Sequence, residues 1–116
     1  MNATELVKRY YEAIDAMDGD GLAAVLAPTF RHERPERTID GRERFVEFML
    51  ADRPRTDTIH AVDAVFRPTA EDAGDSIDEV AVHGRLCAED GEELFAFVDL
   101  FTVDDGRLGN LRTFTH

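Results

Sequence analysis

The chain has 116 residues, 43% of them hydrophobic, enough to bury one core and too few for two. Its 25 Asp and Glu against 13 Lys and Arg give a net charge of −12, which opposes binding to nucleic acid or anionic membrane unless a basic patch intervenes, and no such patch is visible. No apolar run reaches the roughly 20 residues that span a bilayer, and a lone cysteine, Cys87, closes no internal disulfide. The expectation is a single domain over residues 1–116. Its cysteine usage and the absence of a leader-like segment at Met1–Glu5 fit a reducing cytoplasm. Lys8 is the only lysine and the acids are scattered, a pattern that fits a surface adapted to high salt, with an ordinary acidic surface as the alternative.

The first third reads as helical. Asn2 and Glu5 have capping-box spacing, and Leu6, Val7, Tyr10, Tyr11, Ile14 and Met17 recur at helical intervals along one stripe. Asp18-Gly19-Asp20-Gly21 ends this helix, and Asp20 is expected to cap a short second one that stops near Pro28. A brief extended piece follows at Phe30 to Arg34. Asp40 with Glu43 predicts a third helix, with Phe45, Phe48 and Met49 on one face, closing before Pro54. From Asp57 onward the period changes to two. Segments 59–66, 77–88, 93–103 and 108–116 read as strands, two of them joined by Asp90-Gly91 and two by Asp105-Gly106, with a polar loop at Thr69 to Ser76. Helices first and a meander after is the α+β pattern, with three helices packed in a curved, largely antiparallel sheet.

Taking both Asx-Gly pairs as two-residue turns sets a register in which Asp99 lies opposite Val82 on one side and opposite Arg112 on the other. The same face then carries Val80, Gly84, Leu86, Phe95, Phe97, Phe101, Asn110, Phe114 and His116. The opposite face is also apolar, with Leu94, Ala96, Val98 and Leu100 flanked by Ala81 and Leu111. A sheet buried on both faces needs a second cover, and a homodimer through the outer sheet face supplies it.

Three stretches carry a family resemblance. Val7–Ala16 (Val-Lys-Arg-Tyr-Tyr-Glu-Ala-Ile-Asp-Ala), Asp20–Ala27 (Asp-Gly-Leu-Ala-Ala-Val-Leu-Ala) with Asp40-Gly41-Arg42-Glu43 before Phe45, and Val98–Leu108 (Val-Asp-Leu-Phe-Thr-Val-Asp-Asp-Gly-Arg-Leu) resemble, in that order, the SnoaL-like group of the nuclear transport factor 2 superfamily. The resemblance implies a cone: a bent sheet wrapped around helices, a pocket at the wide end, and dimerisation through the outer face. It implies no single activity, since the superfamily holds polyketide cyclases, isomerases, dehydratases and noncatalytic binding modules. From its isomerase branch it places a tyrosine oxyanion donor at Tyr10 and a second, protonated donor at Asp99. That branch's general base falls on Arg34, which is permanently cationic, so the isomerase route lacks its base here. The cyclase branch places its acid at about His116.

Two readings of Asp99 stay open. Either burial among phenylalanines keeps it protonated, or Arg112 holds it ionised in a buried pair. Alternation puts His32 beside Phe30 and Arg34, making it a second candidate base to His116. His60 and His83 read as ordinary sheet histidines, the latter opposite Val98. The four histidines lack zinc spacing, and there is no phosphate loop or nucleophile elbow, so neither metal nor organic cofactor is expected. The sequence therefore predicts a pocket for a small apolar or anionic carbonyl compound. The expected chemistry is cofactor-free proton transfer of cyclase, isomerase or dehydratase type. The base is His116 or His32, with Tyr10 as hydrogen-bond donor. Asp99, Arg112, Arg34 and Asn110 would orient the ligand among Phe97, Phe101, Phe114 and Met49. The alternative is a noncatalytic ligand-binding or dimerisation module of the same fold. An open cavity with a convergent His, Tyr and Arg separates the first from a pocket plugged by Phe97, Phe114 and Met49.

Overall fold

The computed structural model describes residues 1–53, 57–68 and 78–116. The expected loop at Thr69 to Ser76, and Ile77 after it, lie outside the described residues. Helix α1 spans Ala3–Asp15, and its Asn2 cap accepts from the Glu5 amide at 2.8 Å. Its stripe of Leu6, Val7, Tyr10, Tyr11 and Ile14 is buried. The chain reverses at Met17, which has φ 56°, and enters α2 (Gly19–Val25). The α2 cap is Asp18, not Asp20: the Asp18 carboxylate accepts from Gly21 N at 3.0 Å, which leaves Asp20 inside the first turn.

Strand β1 spans Leu26–Arg34 and turns back into β2, Arg37–Asp40. The sequence reading missed β2 because Arg-Thr-Ile-Asp offers one apolar residue, Ile39, and no visible alternation. Helix α3 (Arg42–Glu47) starts from Gly41 at φ 96° without a side-chain cap. Asp40 does not cap it, because Asp40 ends β2 opposite Arg31 and its carboxylate faces that guanidinium at 3.5 Å. A π-helical turn, Phe48–Asp52, then leads out of α3.

Strands β3 (Thr58–Phe66), β4 (Asp78–Ala88), β5 (Glu93–Asp104) and β6 (Arg107–Thr115) complete a six-stranded sheet in the order β2-β1-β6-β5-β4-β3. Only β1 against β6 is parallel; every other neighbouring pair is antiparallel, so the sheet is mixed. The three helices lie on its inner face. Phe30, Phe45, Phe101, Leu6, Ile14, Leu22, Leu108 and Leu111 are almost wholly shielded from solvent between them.

From Leu86 and Phe95 onward the β4–β5 register is the expected one, with Val82 opposite Asp99, but a bulge nearer the turn sets Cys87 opposite Glu93 and brings Leu94, expected on the outer face, to the inner side. The β5–β6 register is not the expected one. Asp104 and Arg107 pair, then Val103 and Leu108, but Thr102 pairs with Asn110, so Gly109 is an extra residue in a bulge. Beyond it every β6 residue has changed face. Asp99 meets Thr113 instead of Arg112, and Leu111 and Thr113 point inward. Asn110, Arg112, Phe114 and His116 accordingly leave the inner wall where the two-residue turn had placed them, and Leu111 leaves the outer one. A glycine inside a strand is the only local mark of this slip.

Candidate active site

One helix, the π-helical turn and all six strands contribute residues at one end of the inner face. Their residues line a cavity of about 380 Å³ that includes Tyr10 from α1, His32 and Arg34 from β1, Met49 from the π-helical turn, and Phe97 and Asp99 from β5. The volume suits a small organic ligand. A buried hydrogen-bond line forms the floor. His32 Nε2 lies 2.9 Å from Thr113 Oγ1, Thr113 donates to Asp99 Oδ1 at 2.6 Å, and Tyr11 donates to Asp99 Oδ2 at 2.6 Å. With the Thr113 proton committed to Asp99, its oxygen accepts, so His32 is the Nε2–H tautomer and presents Nδ1 as a bare acceptor. That Nδ1 is buried without a partner.

Burial sets the charge states. Desolvation, helped by Arg34 and Arg37, pushes His32 down to about 4, so the ring is neutral at neutral pH. Desolvation raises Asp99, opposed by the hydrogen bonds from Thr113 and Tyr11 and by the positive field of His60 and Arg34. Burial, reinforced by Asp99, raises Tyr10 well above the ordinary phenol value, so its hydroxyl stays a donor. Among the described residues no hydrogen-bond partner meets that hydroxyl; its ring packs on Tyr11, Phe45 and Phe101.

On the β3 side stands His60, which the sequence reading left as an ordinary sheet histidine. Its Nδ1 lies 2.7 Å from Asp15 Oδ1 at the end of α1, and its backbone amide donates to Asp15 Oδ2 at 3.0 Å. Two bonds from one carboxylate fix the imidazole with Nδ1–H toward Asp15 and leave Nε2 as the acceptor. The ring sits against Tyr11 and Phe97 and lines the cavity. Residues 45 positions apart offer no spacing motif, so nothing local could have paired them.

Of the residues expected from sequence, Tyr10, His32, Asp99, Arg34, Phe97 and Met49 line this cavity. Phe101 lies deeper, edge-on to Tyr10 and Tyr11. The bulge carries the other four away. His116 stacks on His83 with ring centroids 5.6 Å apart, Arg112 lies over Phe114 at 5.4 Å, and Asn110 donates to Glu33 at 3.3 Å. The buried Asp99–Arg112 pair is thus replaced by Asp99 with Thr113 and Tyr11. Arg34 is half-buried at the cavity and donates to Glu36 at 2.7 Å. Besides His60 and Thr113, the sequence reading missed Arg37, Arg53 and Thr58, all of which line the cavity. Among the described residues, no group of three His, Cys, Asp or Glu side chains is placed to hold a metal ion, and no helix is long and apolar enough to cross a membrane.

A bent six-stranded sheet closed over three helices, with polar groups gathered at one end, is the architecture of the nuclear transport factor 2-like proteins. The SnoaL-like domain matches residues 7–109, and the chain belongs to that family. Among solved structures it is similar to a nuclear transport factor 2-like protein of unknown function from Cytophaga hutchinsonii (TM-score 0.79, 16% identity, 100% of this chain and 91% of that one). It is also similar to a candidate ketosteroid isomerase from Kribbella flavida (TM-score 0.78, 23% identity, 97% and 76%). A candidate SnoaL-like polyketide cyclase from Jannaschia sp. CCS1 gives a TM-score of 0.76 at 23% identity over 97% and 83%. No curated protein matches the sequence.

Proposed function

We propose that this chain is a cofactor-free enzyme that moves a proton next to a carbonyl group of a small ligand, in the manner of a cyclase, isomerase or dehydratase. The observation that carries this reading is His60, held by Asp15 at 2.7 Å and opening on the same cavity as the unpartnered Tyr10 hydroxyl. In this scheme His60 Nε2 takes the proton from the carbon beside the carbonyl, and Asp15 stabilises the imidazolium that forms. Tyr10 donates to the oxygen as it gains negative charge. The proton returns from His60 to a second carbon or to a departing hydroxyl. His32, neutral and pinned by Thr113, accepts from a ligand hydroxyl and orients the substrate. The cavity is open beside Met49 and Phe97, and Phe114 is on the other side of the sheet, which favours the enzyme over a plugged module.

The test is exchange of the α-hydrogens of a panel of small β-keto acids and esters in deuterium oxide, followed by proton NMR. The expected result is catalysed exchange that falls about 100-fold or more in His60→Gln and about tenfold or more in Tyr10→Phe. Exchange absent with every compound, or equal in the His60 variant, overturns the reading.

Two finer expectations belong to the same proposal. The outer sheet face joins two copies of the chain, and the −12 surface with its single lysine is salt-adapted. A melting temperature that does not rise from low salt to molar potassium chloride removes the second.

A further inference from the structure

We propose that the ligand is an anion, and that its carboxylate is held by Arg53 and Thr58 on the wall of the cavity, with Arg37 at the mouth adding positive charge. This names the ligand class of the cavity described above and rests on that cavity being the ligand site; it does not depend on the catalytic step.

In a chain of net charge −12, this cavity gathers three guanidinium groups, Arg34, Arg37 and Arg53, against two carboxyl groups, Glu36 and Asp99. Asp99 is turned to Thr113 and Tyr11, and Glu36 is taken by Arg34 at 2.7 Å. Neither is spare. Arg37 lies flat over the Phe48 ring at 4.1 Å, and among the described residues no carboxylate forms an ion pair with it.

Arg53 is more telling because it is half-buried. Its Nη2 donates to the thioether of Met17 at 3.4 Å, and among the described residues its Nε is buried with no partner. A guanidinium has five N–H donors, and leaving them on a sulfur is costly in a region water reaches poorly. Asp15 and Asp57 act on it through their fields. In the same cavity Thr58 Oγ1 is also buried and, among the described residues, unpartnered, the residue being 2% exposed. The unpartnered buried side-chain atoms among the described residues are Arg53 Nε, Thr58 Oγ1 and His32 Nδ1, and all three belong to residues of this one cavity. A guanidinium and a hydroxyl lining one cavity can serve the two oxygens of a carboxylate. The bare His32 Nδ1, an acceptor, matches a hydroxyl elsewhere on the same molecule. A small hydroxy or enolic acid meets both demands, whereas a neutral apolar ligand leaves the guanidinium unsatisfied.

The test compares 2-naphthoate with its neutral isostere 2-naphthamide by isothermal titration at fixed salt, using the intact chain. The expected result is that the acid binds at least about tenfold more tightly than the amide. Arg53→Gln should weaken the acid by about tenfold and leave the amide unchanged, Arg53→Lys should fall between, and Arg85→Gln, on the outer face and paired with Asp63, should change neither. If Arg53→Gln fails to unfold cooperatively, Arg37→Gln and the salt dependence of the wild type decide: the acid must lose affinity with salt and the amide must not. Equal affinity for the two probes, or binding of neither, overturns the anion site. Binding is read without turnover, so the exchange assay can fail while acid selectivity stands, and the reverse.

Discussion

Thr113 donates to Asp99 at 2.6 Å while its oxygen faces His32 Nε2 at 2.9 Å, so one hydroxyl ties a buried acid on β5 to a buried imidazole on β1. A hydroxyl that gives one bond and takes another transmits orientation in both directions. It fixes which nitrogen of His32 carries the proton and which face of Asp99 is occupied. Removing it leaves two buried polar groups short of a partner, and Thr113→Val should cost about 1–3 kcal/mol in chemical denaturation. A variant as stable as wild type would mean the line carries no energy.

His32 makes stability depend on pH with a definite sign. Its folded value is pushed down to about 4 from 6.5, so as pH falls the unfolded chain takes up the proton first. The contribution is complete above about pH 6.5 and is lost as the pH falls toward 4; over that span it amounts to about 3 kcal/mol. His32→Gln keeps an amide donor toward Thr113 without the titration, so its unfolding free energy should lack this fall. Parallel pH profiles for the two proteins would refute the assignment.

Asp99 works in the opposite direction. Its folded value is raised, so the folded chain holds the proton longer than the unfolded one, and stability falls as pH rises from the ordinary carboxylate value to the folded value. Asp99→Asn should abolish that fall while preserving the acid-side loss due to His32. Measuring wild type, both single variants and the double variant separates the two opposing slopes. If Asp99→Asn leaves the profile above pH 4 unchanged, the acid is ionised throughout and the hydrogen bonds from Tyr11 and Thr113 outweigh burial.

What the sequence reveals about this fold follows from which forces act locally. Asn2 with the stripe from Leu6 to Ile14 marks α1, and Asp90-Gly91 marks the β4–β5 turn, because caps and turns are decided within a few residues. Val82 does lie opposite Asp99, but a bulge beside the turn, where Cys87 pairs with Glu93, restores a register that the turn by itself would have shifted by one. The β5–β6 hairpin looks equally simple, yet one bulged glycine, Gly109, turns β6 over and exchanges Arg112 for Thr113. Four candidate residues, Asn110, Arg112, Phe114 and His116, therefore left the cavity, and the partner of Asp99 changed from a guanidinium to a hydroxyl. Asp15 and His60 show the other limit: each is unremarkable in its own element, and only the packing of α1 on β3 brings them together.

That pair supports a specific mutational outcome. Asp15→Asn still reaches the imidazole, but its amide group can favour the other tautomer, moving the proton to Nε2 and removing the base. Exchange catalysis should fall about 100-fold while stability changes by no more than about 1–2 kcal/mol. A loss of activity matched by a collapse of folding in thermal melts would show that Asp15 serves only to anchor β3.

Gly84 makes room for the Phe97 ring. A Cβ built there would lie 2.7 Å from the Phe97 ring and 2.6 Å from the Ala61 carbonyl, and Phe97 lines the cavity. The ring must shift, and because the carbonyl belongs to the paired strand, β3 and β4 must also separate locally. Gly84→Ala should destabilise by about 1–3 kcal/mol and reduce 2-naphthoate affinity together. An alanine variant with wild-type stability and affinity would show that the ring has free space behind it.

The outer face supports the last prediction. Gly109 turns β6 so that Phe114, 41% exposed, joins Leu100, 39% exposed, and the half-buried Ala96 and Val98 on one surface. The same bulge that takes Arg112 and His116 from the cavity thus adds an aromatic ring to the opposite side. A continuous apolar patch on a strongly charged chain favours association through a twofold contact, which satisfies both copies at once. Light scattering at micromolar concentration should give twice the chain mass, and Leu100→Glu or Phe114→Glu should give the monomer. Because the cavity opens on the other side of the sheet, those variants should still bind 2-naphthoate. A wild-type monomer would leave the patch without a cover from this chain, and loss of naphthoate binding in a folded monomer would tie the cavity to the interface.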